Sequence, residues 1–122
     1  MQVRNENAPA AFFLSGLDGK PLNETGRMVL MHLTDIKCDG ITFGDKEMSL
    51  WEKYGDQNKL LLRRNRAEVK LNTARRPAKI YACCHTGKRL AEVPTEYRDG
   101  KLLLKLDNTL NGKGVMLYEL LF

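Results

Sequence analysis

Turn-forming residues set the strongest limit on what this chain can fold into. They stand at Asp18-Gly19, Glu24-Thr25-Gly26, Asp39-Gly40, Gly44-Asp45, Asn65, Thr86-Gly87, Asp99-Gly100 and Asn111-Gly112, with short apolar runs between them. Many lie roughly 10 to 15 residues apart, the rhythm of antiparallel strands joined by tight turns. Long amphipathic helices do not alternate with the runs, which argues against a parallel α/β sheet. The expectation is an all-β, antiparallel β-sandwich, immunoglobulin-like in general architecture, with about seven to nine strands. A jelly roll or a small barrel is the alternative.

Individual strands follow from the period of two. In Arg66 to Leu71, the alternation places Ala67, Val69 and Leu71 inward and the charges outward, and Lys101 to Leu106 does the same with Leu102, Leu104 and Leu106. Arg27 to Thr34 is apolar at nearly every position, as expected of a strand covered on both faces. Lys79 to Cys84 and Val115 to Leu121 complete the set. Asp99-Gly100 predicts a two-residue hairpin. Leu60 to Arg63 is expected to pair with Arg66 to Leu71 through Arg64-Asn65. Asp45 to Tyr54 breaks the pattern, and reads equally as a capped helical turn ending at Gly55 or as an ordered loop.

With 122 residues the chain fits one domain over 1–122, residues 1–10 being read as a loosely ordered arm. An apolar share of 43% against 29% charged residues is a globular balance, and a core of this size needs neither disulfide nor metal. No apolar run approaches the roughly 20 residues of a membrane helix, so no membrane partner is expected. The N-terminus lacks the charged start and long apolar region of a signal peptide. Cys38, Cys83 and Cys84 make an odd count, and adjacent strand residues point to opposite faces, so free thiols are expected over a disulfide framework.

The net charge of +5 is uneven. From Lys59 to Lys79, eight basic residues, Arg63, Arg64, Arg66, Arg75 and Arg76 among them, face Glu68 alone, a local charge of +7. Such a segment suits a basic partner surface, or phosphates in a nucleic-acid-binding β-barrel. With no aromatic platform interleaved, a solvated strand face is the simpler reading and nucleic acid the weaker one.

A search for chemistry finds no site. His32 sits mid-strand and His85 before a turn, and neither Ser15 nor Ser49 lies in a nucleophile elbow. The cysteines and histidines are too scattered for a zinc motif, so no metal or cofactor is expected. Asp35, Asp39, Asp45 and Glu47 crowd a short loop that offers no deep cleft for glycoside cleavage. No catalytic residue is assigned. Sugar binding without catalysis requires exposed flat aromatics with a polar rim, and Trp51 and Tyr54 are the candidates, with Tyr97 a third. Trp51 decides between readings: buried, it is a core anchor; exposed beside Tyr54 in a groove, it favours sugar.

Gly16-Leu17-Asp18-Gly19-Lys20-Pro21-Leu22 followed by Gly26 to Asp35, GRMVLMHLTD, resembles the "LDGKPL … RILLTHLTD" pattern of C-terminal β-sandwich domains in large bacterial glycoside-hydrolase-like proteins. The likeness continues in Asn65 to Val69, Ile80 to Ala82, Thr86 to Arg89, Glu92 to Pro94, Asp99 to Leu102 and Val115 to Leu120, while Cys83-Cys84 and Arg75-Arg76 depart from it. The resemblance implies a non-catalytic accessory module that packs on a catalytic barrel, in an extracytoplasmic setting if the parent is secreted. It carries no catalytic residue. A carbohydrate-binding module is the alternative function, and a nucleic-acid-binding barrel a further one.

Overall fold

The computed structural model describes all 122 residues and contains fifteen strands and no helix. In chain order they are β1 (Gln2–Asn5), β2 (Ala11–Gly16), β3 (Arg27–Leu33), β4 (Ile36–Asp39), β5 (Thr42–Phe43), β6 (Trp51–Lys53), β7 (Asp56–Leu62) and β8 (Arg66–Asn72). Then come β9 (Lys79–Cys83), β10 (Arg89–Glu92), β11 (Glu96–Arg98), β12 (Lys101–Asp107), β13 (Thr109–Leu110), β14 (Lys113–Gly114) and β15 (Leu117–Leu121).

Nine strands build two open antiparallel sheets, β1-β8-β12-β11 and β10-β9-β15-β3-β2. Their inner faces share one apolar cluster. Val69, Leu71, Leu102, Leu104 and Leu106 enter it from the four-stranded sheet, and Met28, Leu30, Ile80, Ala82, Tyr118 and Leu120 from the five-stranded sheet. The alternation read from the sequence therefore marks the core faces of β8 and β12. The long-range pairings are nested along the chain, β8 with β12 lying between β3 and its partner β15. The likeness to an immunoglobulin domain is that of two packed antiparallel sheets with their own strand order.

β3 is buried on its core face and only partly covered on its outer face, where Val29 is buried but Met31 and Leu33 are half-buried, less than its continuous apolar run predicts. Met28 and Leu30 point into the core, while Val29 is buried on the outer face. There Glu119 of β15, directly opposite Val29, lies between Arg27 and Arg89, each guanidinium Nε 2.6 Å from a carboxylate oxygen. Arg89 in turn lies 4.3 Å above the Tyr81 ring. The expected hairpin at Asp99-Gly100 joins β11 to β12, with φ of 50° and 72° at its two central residues, the mirror-image turn that suits a hairpin.

Two expectations are corrected, and a third, open between a helical turn and an ordered loop, is decided. Residues 1–10 do not form a loose arm: β1 pairs with β8 at the edge of the four-stranded sheet, Gln2 opposite Lys70, before the chain crosses to the other sheet as β2. Leu60 to Leu62 does not pair with β8. It belongs to β7, whose partner is β4, because β8 is already flanked by β1 and β12. Asp45 to Tyr54 is not helical. The Asp45 carboxylate accepts the backbone N–H groups of Ser49 and Leu50 and bonds the Ser49 hydroxyl, closing the turn between β5 and β6.

β4 with β7, and β5 with β6 beyond them, make a two-stranded ribbon between Asp35 and Arg63 that stands apart from both sheets. Every residue from Trp51 to Leu61 is exposed. Gly55 permits the ribbon's inner turn: its φ is +75°, and a Cβ there would lie 2.5 Å from the Asp39 carbonyl oxygen.

The core and the ribbon differ in what a leucine contributes. Leu104→Ala, at a fully buried position, is expected to cost about 2–5 kcal/mol in urea unfolding. Leu61→Ala on the ribbon is expected to stay within about 0.5 kcal/mol of the parent. Equal losses at the two positions would contradict this division.

Candidate functional site

The ribbon carries the main candidate site. Trp51 opens β6, and Tyr54 follows β6 at the bend into β7. Their side chains are 61% and 62% exposed, far from the core anchor a lone Trp usually is. The ring centroids are 5.1 Å apart with planes at 71°, so the two rings form a corner. The corner opens into a shallow concavity that Phe43, Met48, Lys37, Asp35 and Gln57 also line. Lys37 pairs with Asp35, and its ammonium stands 6.0 Å over the Phe43 ring. The Lys37 hydrogen bond, with the charges of Lys37 and Arg63, holds the Asp35 carboxyl below its usual range, so the rim is zwitterionic near neutral pH.

This arrangement has the parts of a sugar platform: flat apolar faces for the C–H side of a ring, and charged and amide groups for its hydroxyls. Tyr97 is not part of it. Tyr97 packs against the core from β11, and its hydroxyl donates to the Thr73 carbonyl oxygen at 3.0 Å. It sits opposite Leu102, which faces Leu71 at the far end of β8 from the ribbon.

The basic segment is split and largely paired. Arg63 reaches Asp35, and Arg64 and Arg66 both reach Asp107. Seven residues of β8, roughly 20 Å, separate these from Arg75 and Arg76. Arg75 donates to the Thr25 carbonyl oxygen and lies 4.8 Å over the Phe122 ring, which leaves Arg76 as the exposed, unpaired arginine of the five. The five side chains do not gather into one basic stripe.

The residues weighed for catalysis are apart and otherwise engaged. Ser15 donates to the Gly16 carbonyl oxygen, Ser49 bonds Asp45, and His85 is exposed in its turn. His32 is fully buried, stacked on Phe12 at 4.9 Å. All three cysteines are free, Cys83 buried and the other two half-buried.

His32 belongs to a buried polar network beneath the ribbon's base, which the sequence did not disclose. The Asn65 amide nitrogen donates to Asn5 Oδ1, Asn7 Oδ1 and the Ala8 carbonyl oxygen at 2.7 to 3.1 Å. Its oxygen lies 2.7 Å from His32 Nε2. An amide oxygen only accepts, so His32 carries its proton on Nε2 and leaves Nδ1 without a partner. Asn108 completes the network: its oxygen accepts the Asn65 N–H, and its amide donates to Thr34 Oγ1 and the Arg63 carbonyl oxygen. Thr34 and Arg63 are the two feet of the ribbon, and Thr34 Oγ1 also donates to that same carbonyl.

Burial pushes the His32 pKa below 6.5, partly offset by the Asn65 bond and the charge of Asp107. The unfolded chain therefore binds a proton near pH 6.5 that the folded chain refuses until lower pH. Stability from this group is complete above 6.5 and falls as pH drops through the folded value. The unfolding free energy is expected to decline from about pH 7.5 to about pH 5.5, before most carboxylates titrate. His32→Gln, which retains an amide donor toward Asn65, should flatten that decline; an identical pH slope in the variant would contradict the assignment.

Comparison of the chain with protein-family models, with curated proteins and with solved structures finds no match.

Proposed function

We propose that this domain is a non-catalytic accessory module of a carbohydrate-active protein, and that it binds sugar on the Trp51–Tyr54 corner of its ribbon. The observation that carries this reading is the exposure of both rings, side by side, in a concavity with a charged and amide rim. Keeping two large aromatic faces in water serves no purpose in the domain's own stability. A pyranose ring laid on the Trp51 face would meet Tyr54 at its side, and its hydroxyls would find Asp35, Lys37 and Gln57 as partners. The resemblance to accessory domains of glycoside-hydrolase-like proteins supports the same setting.

A second contact, with protein, is favoured by the ribbon's aliphatic side chains. Leu50, Leu60 and Leu61 are each more than half exposed, and aliphatic side chains offer a sugar little. They fit the packing of the module on a catalytic barrel.

Trp51 is the only tryptophan, so its emission reports on the corner alone. Titration with soluble xylans, β-glucans, mannans and chitin oligomers is expected to shift or quench that emission saturably with at least one glycan class. Trp51→Ala should abolish retention on the corresponding insoluble polysaccharide, with a stability change within about 0.5 kcal/mol at so exposed a position. An unchanged spectrum across the panel would contradict sugar binding.

A further inference from the structure

A second concavity lies where the ribbon joins the sandwich, an open groove of about 700 Å³. The ribbon supplies Ile36, Leu60 and Leu62, and the sandwich supplies Cys84, Leu90 and Met116. Ile36, Cys38, Leu60 and Leu62 share one face of the ribbon, because Ile36 stands opposite Leu62 and Cys38 opposite Leu60. Leu62 is seated against Gly114 of the β13-β14 hairpin, but Leu60 remains 65% exposed. The interior is thus apolar and unfilled.

Its charge is one-sided. Lys88 and Lys113 are the charged side chains among the lining residues, His85 stands with them, and no carboxylate is present. Both lysines are exposed, and neither takes part in an ion pair. At the base of the ribbon, by contrast, Lys37, Arg63, Arg64 and Arg66 each have an acidic partner. An apolar trough with unneutralised positive charge at its margin is complementary to an apolar segment that carries carboxylates.

The groove is open to solvent, so a small molecule would leave much of its surface in water, whereas a length of polypeptide could fill it. β10, which contributes Leu90, is the outermost strand of its sheet, and its outer backbone groups are free to pair with an added strand.

We propose that this groove is the docking site for an extended, acidic-apolar segment of a partner polypeptide, with leucine-like side chains between Leu60 and Leu90 and carboxylates on Lys88 and Lys113. The inference rests on the second, protein-contact reading of the ribbon and names where that contact is made. Ile36 lines both concavities, but Trp51 and Tyr54 line the sugar corner alone, and Leu60, Leu90, Lys88 and Lys113 line the groove alone.

The test uses the full chain and two fluorescein-labelled peptides, one alternating Leu and Glu, the other alternating Leu and Lys. Anisotropy is expected to rise saturably with the Leu/Glu peptide, to weaken with added salt, and to show no saturation with the Leu/Lys peptide. Lys88→Glu combined with Lys113→Glu should weaken binding roughly tenfold or more. Leu60→Asp should do the same, and an unchanged melting temperature confirms that these exposed substitutions leave the fold intact. The Cys84 thiol, 3.0 Å from Thr86 Oγ1, supplies a second readout. In a Cys38→Ser background the Leu/Glu peptide should slow maleimide labelling of Cys84. Equal binding of both peptides, full affinity in the charge-reversed variant, or no binding at all would overturn the proposal. Trp51→Ala should leave peptide binding unchanged, so failure of the groove and failure of the sugar corner are separate results.

Discussion

Two buried asparagines, Asn65 and Asn108, carry the constraint on which the placement of the ribbon, and with it the candidate site, depends. The backbones of both residues and one side chain join them: Asn108 N–H donates to the Asn65 carbonyl oxygen, and Asn65 N–H donates to Asn108 Oδ1. Both are fully buried, where each unmade hydrogen bond would cost about 1–3 kcal/mol, so the geometry of their neighbours is tightly specified. Through Asn65 the network holds the N-terminal crossover and His32 of β3. Through Asn108 it holds Thr34 and Arg63, and the Asn108 carbonyl oxygen accepts Val115 N–H as the chain approaches the last strand. Four segments distant in sequence are thus fixed at one end of the sandwich.

That end is where the ribbon leaves. A two-stranded ribbon is marginal in water by itself, and this one buries little, so its orientation has to come from its base. The base has it: hydrogen bonds from Asn108 to both feet, a backbone bond from Arg63 N–H to the Asp35 carbonyl oxygen, and Leu62 against Gly114. A limb anchored in this way can present side chains at a defined position without being covered by the domain that carries it. Trp51, Tyr54, Leu50, Leu60 and Leu61 are the side chains it presents. Exposed apolar patches of this kind are what the proposed contact role of the ribbon rests on.

Much of the sandwich was legible in the sequence because its signals are local. Period-two alternation marked the core faces of β8 and β12, the continuous apolar run marked β3 as a strand, though its outer face is only partly covered, and Asp99-Gly100 marked its hairpin. The ribbon was not legible, for a physical reason. Leu60 to Arg63 reads as a strand that pairs with β8 because the two are adjacent in the chain, and periodicity does not say which strand is the neighbour. β1 was missed because its ladder partner lies more than sixty residues away, and nothing in Gln2 to Asn5 announces it. Trp51 and Tyr54 were legible as residue types, but their exposure was not. Tyr97, equally plausible by type, turned out to face the core. Asn65 was visible only as a turn signal; its role depends on Asn5, Asn7, His32 and Asn108, which converge through tertiary structure alone. The charge run from Lys59 to Lys79 looked continuous along the chain, yet β8 carries its two ends apart and Asp35 and Asp107 neutralise one of them.

Residue-resolved amide hydrogen exchange in the parent and in Asn108→Ala tests most directly whether the asparagine pair positions the ribbon. Exchange is expected to accelerate at Asn65, Val115 and the Leu60–Leu62 stretch, while Leu30, Leu104 and Leu120 in the paired strands of the core keep their protection. Uniform acceleration across the core, or a ribbon base that exchanges at its original rate, would contradict that positioning.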